Sequence, residues 1–311
     1  MGENALAPLS TIPQGVGIDT YAGKIHVEWD PQAAVTPLGQ LPFFIAFLKA
    51  SGVFDDFVAT CPLTYNSPNA PPVRDVLGTA LMSILAGHNR YVHITSIRFD
   101  SVNPELLRMK KVVSEDAVRR AFKAIGEEGG TAWLDQQLAN STNAALSLGS
   151  WILDTDTTVK CLYGKQQGAA VGYNPRKPGR PSHSYHSCFM GNTRLALTVE
   201  VNHGNQYSAK HVGPSLWCYY DGLADVKKPA IIRGDIFLGN EGFLSEAESR
   251  CAHYLTKLRL TANVKRCITK LFCEADWADA GHGFEGAETT LKLTGWSRSR
   301  RVVVLRSPIA N

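Results

Sequence analysis

The chain has no run of eighteen or more apolar residues, the length a single membrane-spanning helix needs. Its first residues, MGENALAPLSTIP, lack a basic head followed by an apolar core. No secretory signal is therefore expected, and the cytoplasm is the expected compartment. None of the seven cysteines (Cys61, Cys161, Cys188, Cys218, Cys251, Cys267, Cys273) falls in a C-x-x-C pair. That removes the usual zinc frameworks, and the odd, scattered count points to reduced thiols. A strong net charge is missing too: +4 over 311 residues is mild. Total charge cannot mark a nucleic-acid binder here, so any such signal has to be local.

What is present is a globular composition, 44% hydrophobic, in a chain long enough for two or three domains. Residues 1–33 read as a tail with one strand candidate, Lys24–Trp29. From 34 to 148 the periodicity is helical. Leu41, Phe44, Ile45 and Leu48 recur at three-and-four spacing, and Val73, Val76, Leu77, Ala80, Leu81 and Ile84 share the face of a second helix. Ser114 before Glu115 and Asp116 is a helix start, with a capping oxygen followed by acids where the dipole favours them. The helix it opens turns Val118, Ala121, Phe122 and Ile125 inward and Arg119, Arg120 and Lys123 outward. With a shorter helix near Pro104–Lys111 ahead of it, this basic stripe suits a helix-turn-helix that meets DNA. A solvated charged face has the same composition. A further helix is expected over about Thr131–Leu146.

At Ser150 the period changes to that of strands. WILDTDTTV places Ile152, Asp154 and Asp156 on one face and Leu153, Thr155 and Thr157 on the other. Ser184–Met190 and Arg194–Val201 read as two strands around a Gly191-Asn192 hairpin turn. A helical stretch leads to a short strand, Ala230–Arg233, that ends in Gly234-Asp235. Asn240-Glu241 starts a helix with Phe243, Leu244 and Ala247 on one face, and Tyr254–Thr261 reads as another strand. The expected fold is thus α/β, a mixed sheet over 149–275 behind an all-α N-terminal domain at 34–148. Residues 276–311 look strand-rich, with Lys292–Trp296 and Arg301–Leu305 as candidates.

Asp156 and Asp235 each stand where a strand runs into a loop, the place where open α/β sheets collect ligand-handling groups. Two such carboxylates converging on Mg²⁺ or Mn²⁺ suit phosphoryl chemistry. Between them lies a basic, glycine-studded loop in which Lys165, Arg176, Lys177 and Arg180 alternate with Tyr163 and Tyr173. Those cations suit phosphate contact, and Gly164, Gly168, Gly172 and Gly179 would admit DNA close to the backbone. Arg298, Arg300 and Arg301 form a second basic cluster, equally readable as solvated. His183 and His186, like His88 and His93, lack ligand-spaced partners and read as turn or packing residues.

Three blocks, ILDTDTTV, YGKQQGAAVGYNPRKPGRPSH and IIRGDIFLGNEGF, resemble the DDE transposases of bacterial insertion sequences, in particular the insertion-sequence 1380-type group. The resemblance implies a ribonuclease H-like core with the first catalytic acid on its first strand and the second just after its fourth. It assigns Asp156 and Asp235 those roles, with Asp154 as the alternative first acid and a further metal ligand. It implies Mg²⁺ or Mn²⁺ as cofactor, DNA as partner through terminal inverted repeats and target sites, and a homodimer when full length. The reaction implied is phosphodiester hydrolysis followed by strand transfer. Ile236 departs from the small or polar residue usual after the second Asp, and no Y-x-x-R-x-x-x-E motif supplies the third acid. The 276–311 region resembles the start of the strand-rich insertion that precedes that motif, so the chain is expected to be truncated. Glu274, Glu285 and Glu288 are available carboxylates outside that motif; the alternatives are a catalytically dead DNA-binding protein, or an unrelated metal-dependent nuclease in which Glu274 or Glu241 would stand beside Asp156.

Overall fold

The computed structural model describes residues 16–20, 23–27, 32–34, 36–206 and 209–308. The chain divides into two compact units, Met1–Trp133 and Leu134–Asn311. The first unit opens with an antiparallel hairpin of β1 (Val16–Thr20) and β2 (Gly23–Val27). β2 overlaps the strand expected at Lys24–Trp29, whose last two residues lie outside the described ones. Helices α1 (Leu41–Ser51), α2 (Val53–Ala59), α3 (Val73–Leu85), α4 (Asn103–Leu106) and α5 (Glu115–Ile125) follow, and α6 (Glu127–Thr142) contains the division between the units. Leu41, Ile45 and Leu48 of α1 join Phe54, Val76, Leu77, Val118 and Trp133 in one apolar core. Phe44, expected inside, is 37% exposed.

Helix α3 is rotated from the face its apolar residues suggested. Ile84 is 69% exposed, whereas Asp75, Thr79 and Ser83 are buried with Val76, Leu77 and Met82. The buried polar atoms are tolerable because the backbone of the following segment comes to them. Asp75 Oδ1 accepts from the Lys110 N–H at 2.9 Å, and Thr79 Oγ1 from the Val113 N–H at 3.0 Å. The single-turn α4 ends in a turn at Leu107–Arg108, with Arg108 at φ 54°, and the chain that follows runs to its contacts on α3 at Lys110 and Val113. The two-helix motif expected ahead of α5 is therefore not formed as two full helices. Helix α5 itself begins as expected, with Ser114 Oγ accepting from the Ala117 N–H at 3.3 Å and Val118 and Ala121 buried.

The second unit carries β3 (Ile152–Cys161), β4 (Ala170–Val171), β5 (Pro181–Met190), β6 (Leu195–His203), α7 (Ala209–Gly222), β7 (Ile231–Gly234), α8 (Glu241–Ser249), β8 (Tyr254–Thr256) and α9 (Ala262–Glu274). A separate antiparallel sheet of β9 (Ala278–Gly281), β10 (Phe284–Leu291) and β11 (Arg300–Arg306) ends the described chain. The main sheet is mixed, in the order β6-β5-β3-β7-β8, with β4 following β6 along the outer edge of β5. β5 alone runs against its neighbours; β3, β7 and β8 are parallel. Leu153, Met190, Leu197 and Ile232 point from the sheet into a core closed by Leu216 and Trp217 of α7 and Phe243 and Leu244 of α8.

Three local expectations change here. The β5–β6 connection is a four-residue turn, with Arg194 at φ 59° and its N–H donating to the Met190 carbonyl at 2.7 Å. Gly191 is needed for space, since a Cβ there would lie 2.8 Å from Asp154 Oδ2. Lys292–Trp296 is not a strand: Leu293 and Trp296 leave the sheet and pack into the main core from a turn. Glu274 closes a helix, α9, where strand and loop were expected; Val264, Cys267, Ile268 and Leu271 form its inner face.

Candidate active site at the sheet edge

Parallel pairing of β3 with β7 aligns Asp154 with Arg233 and Thr155 with Gly234. The alternation read from the sequence holds: Leu153 and Thr155 are buried, while Asp154 and Asp156 face the other way. Asp154 meets its cross-strand neighbour head on. Arg233 Nε and Nη2 donate to its two oxygens at 2.6 Å each, a bidentate pair. This carboxylate raises the Arg233 pKa. Asp154 is thereby occupied as one half of a strand-to-strand clamp.

Asp156 stands one residue past the last β3–β7 rung, and Asp235 one residue past the end of β7. The two acids thus occupy the next row of the parallel ladder, where neighbouring strands lie about 4.8 Å apart. Asp156 is exposed, and its Oδ2 accepts only a long 3.4 Å hydrogen bond from Thr158 Oγ1. Asp235 is half-buried. Its Oδ1 accepts from the Phe237 N–H at 2.9 Å, which fixes the turn toward α8, and its Oδ2 is left to other partners. Two carboxylates that each follow the last paired residue of adjacent parallel strands are hard-oxygen donors of the kind a divalent cation takes.

None of the glutamates considered as a third acid joins this pair. Glu241 binds Arg300, Ser297 and Ser245; Glu274 pairs with Lys270, Glu285 with Arg306 and Glu288 with Arg301. Among the described residues no three His, Cys, Asp or Glu side chains are grouped to hold a metal ion. The Arg300 guanidinium, 6% exposed over the Trp296 ring, also binds Glu248 and holds that carboxyl at about 2. Arg300 and Arg301, expected as surface cations, are consequently committed to carboxylates.

The basic loop is more ordered than its composition suggested. The exposed Tyr163 ring lies between two cations, Lys177 Nζ at 4.9 Å and Arg180 Cζ at 4.8 Å from its centroid. Asn174, buried, accepts from the Lys177 N–H at 3.0 Å and donates to Cys161 Sγ, tying the loop to the end of β3. Tyr173 meets Phe237, two residues beyond Asp235, ring edge to face at 5.9 Å. Lys165 and Arg176 are exposed, with no ion-pair partner among the described residues. The loop glycines serve the chain itself: Gly168 and Gly179 adopt φ of 74° and 75°, and Gly172 packs directly on the Gly204 backbone. In the first unit Arg119, Arg120 and Lys123 are exposed as expected, Arg119 also pairing with Asp116 at 3.2 Å and lying over the Tyr91 ring.

The opposite face of the sheet is a polar seam beneath α7. His186, 3% exposed, lies 3.8 Å from Glu200, and burial lowers its pKa. Burial likewise raises the Cys188 thiol and pushes the Tyr219 phenol up to about 12. His183 Nε2 donates to the Gln167 carbonyl, 2.8 Å away. Both histidines are packing residues. Sequence reading missed Arg233 and the Tyr173–Phe237 contact. The first could have been found from the strand alternation that puts Arg233 on the Asp235 side; the second carried no local signal.

No family model and no curated protein matches the chain. Solved structures to which it is similar include a piggyBac transposase synaptic complex with hairpin DNA, at 12% identity and TM-score 0.32, covering 87% of this chain and 52% of that one. The Mos1 mariner paired-end complex with Mn gives 14% identity and TM-score 0.25 over 78% and 81%. A chain of the simian T-cell lymphotropic virus intasome complex with PP2A regulatory subunit B56 gamma gives 14% and 0.23 over 48% and 51%. The chain thus spans about half the length of the piggyBac and intasome chains. At TM-scores this low the likeness decides neither fold nor function. Among the described residues no helix is long and apolar enough to cross a membrane.

Proposed function

We propose that this chain carries the ribonuclease H-like core of a DDE-type DNA transposase, with Asp156 and Asp235 as its first two catalytic acids. The observation that supports the reading is that Asp156 and Asp235 each directly follow the last partners, Thr155 and Gly234, of the parallel β3–β7 pair. Strand order β6-β5-β3-β7-β8 with β5 alone reversed supports the core assignment. Asp154 is not the first acid on this reading, because Arg233 occupies both its oxygens. Asp156 and Asp235 would hold Mg²⁺ or Mn²⁺, which supplies activation of the attacking water or hydroxyl and stabilisation of the leaving oxygen. The chain's own residues do the rest. The sheet fixes the spacing of the acids, the Phe237 N–H orients Asp235, and Lys165, Arg176, Lys177 and Arg180 hold phosphates at the loop. Arg119, Arg120 and Lys123 add DNA contacts on the N-terminal unit, and the complete enzyme works as a dimer on insertion-sequence ends and target DNA in the cytoplasm.

The test is nicking of supercoiled plasmid by the full chain with Mn²⁺ or Mg²⁺, alongside Asp156→Ala, Asp235→Ala and Asp154→Asn. Loss of at least about a hundredfold is expected in the two alanine variants, beyond the 10–100-fold typical of residues that only support a ligand. Equal nicking by wild type and both alanine variants would overturn the site. A second reading is favoured by one observation, the commitment of Glu241, Glu274, Glu285 and Glu288 to cations. On that reading the chain binds DNA without cutting it, and DNA binding persists in Asp156→Ala and with metal chelated.

A further inference from the structure

The row that holds the two acids continues onto a third strand. β8 pairs in parallel with β7, with Gly234 opposite Thr256, so Lys257 follows β8 in the same way that Asp235 follows β7. Asp156, Asp235 and Lys257 therefore lie in line across β3, β7 and β8. The turn after Asp235 also rests on this residue: Gly239 packs against the Lys257 carbonyl with no room for a Cβ. Beyond Lys257 come Arg259 and then Lys265 and Arg266 on the first turns of α9. All four side chains are exposed, and none of them has a carboxylate partner among the described residues. The same unit pairs Arg233, Arg250, Arg298, Arg300, Arg301 and Arg306 with acids. Lys257 and the three cations that follow it in sequence thus keep their charge free of acids, as the cations of the 162–181 loop do.

We propose that Lys257, Arg259, Lys265 and Arg266 form a second phosphate-binding bank, on the opposite side of the acid pair from the 162–181 loop, that holds duplex DNA across the sheet edge. This rests on the reading of Asp156 and Asp235 as a site acting on DNA. Two strand spacings separate the β3 and β8 backbones, about 10 Å. At about 3.4 Å per phosphate along one DNA strand, the bank meets the backbone roughly three nucleotides from the acids. One cation set on each side of the acid pair fixes the direction of the duplex, which a single set cannot do. The contacts read no bases, so they position without specifying sequence.

The experiment is fluorescence anisotropy of a labelled duplex of arbitrary sequence, titrated with the full chain over a range of salt concentrations. It compares wild type with Lys257→Gln/Arg259→Gln, Lys265→Gln/Arg266→Gln and Lys177→Gln/Arg180→Gln, with urea midpoints as a folding control. Each phosphate contact removed lowers the slope of log K against log salt by about 0.9, so each double variant is expected to lose between one and two units of slope. Affinity at low salt is expected to fall roughly tenfold. Unchanged slope and affinity in both the 257/259 and 265/266 variants, with the 177/180 variant weakened, would overturn the second bank and leave the loop and acid site standing. Wild type that binds no duplex at all would overturn the underlying reading as well. Should a double variant shift the urea midpoint, the single variants Lys257→Gln and Arg259→Gln carry the same comparison.

Discussion

Two sets of cations in the second unit have the same chemistry and opposite circumstances. Arg298, Arg300, Arg301 and Arg306 each face a glutamate, and Arg300 is nearly enclosed between Glu241, Glu248 and the Trp296 ring. Lys165, Arg176, Lys177 and Arg180 stand on a loop with no acid opposite, two of them stacked on Tyr163. In the first set Arg298 and Arg300 hold the turn before β11 and its first residue to α8, and Arg301 and Arg306 tie β11 to β10. The second keeps its charge available to a polyanion. Basic composition therefore says little until each cation's partner is known, because an enclosed ion pair has already spent the field that would attract DNA.

The largest expected effect lies in the paired set. Arg300→Met takes the cation from Glu241 and leaves Glu248 with Arg298 alone, and the largest drop in urea midpoint among these variants is expected. An unchanged midpoint would break the comparison. In the unpaired set, Lys177→Gln/Arg180→Gln is expected to leave the urea midpoint within about 0.5 kcal/mol of wild type while weakening DNA binding and its salt dependence. Weakened stability with unchanged binding would reverse the two roles.

A third circumstance is a potential cation held neutral. Burial lowers the His186 pKa below its ordinary value of 6.5. Above that value neither state carries the proton; as pH falls below it the unfolded chain takes one up first, so folding stability drops until the folded pKa is reached. Urea midpoints between pH 7.5 and 5 are expected to fall more steeply in wild type than in His186→Phe, and parallel curves would contradict a buried neutral imidazole. The smallest effect belongs to the exposed Arg301–Glu288 pair, where Arg301→Gln is expected to leave the urea midpoint within error of wild type, because solvent screens the pair.

Much of the second unit was legible because its signals are local. Asn240 caps α8 by accepting from the Phe243 N–H, and Phe243, Leu244 and Ala247 are buried, as their spacing implies. Alternation alone placed Asp154 and Asp156 on one side of β3. What stayed hidden involved partners far along the chain. Helix α3 buries Asp75 and Thr79 because backbone N–H groups more than thirty residues away dock on them, and a scan for apolar periodicity scores those residues as surface. Helix α9 did carry a local signal that went unread: Thr261 caps it, and Val264, Ile268 and Leu271 recur at helical spacing.

By itself the sequence determined the elements that carry the chemistry: an acid-bearing strand, a basic loop after it and a second acid at the end of a later strand. Periodicity, capping and turn chemistry act within a few residues, so they can be read without coordinates. Only the tertiary structure decided which members are free to act. The register of β3 on β7 gave Asp154 to Arg233, 79 residues away, and left Asp156 and Asp235 each just past the last paired residues. The same ladder put Lys257 in line with them. Strand register is set by the packing of whole faces, and no local pattern around any of these residues encodes it.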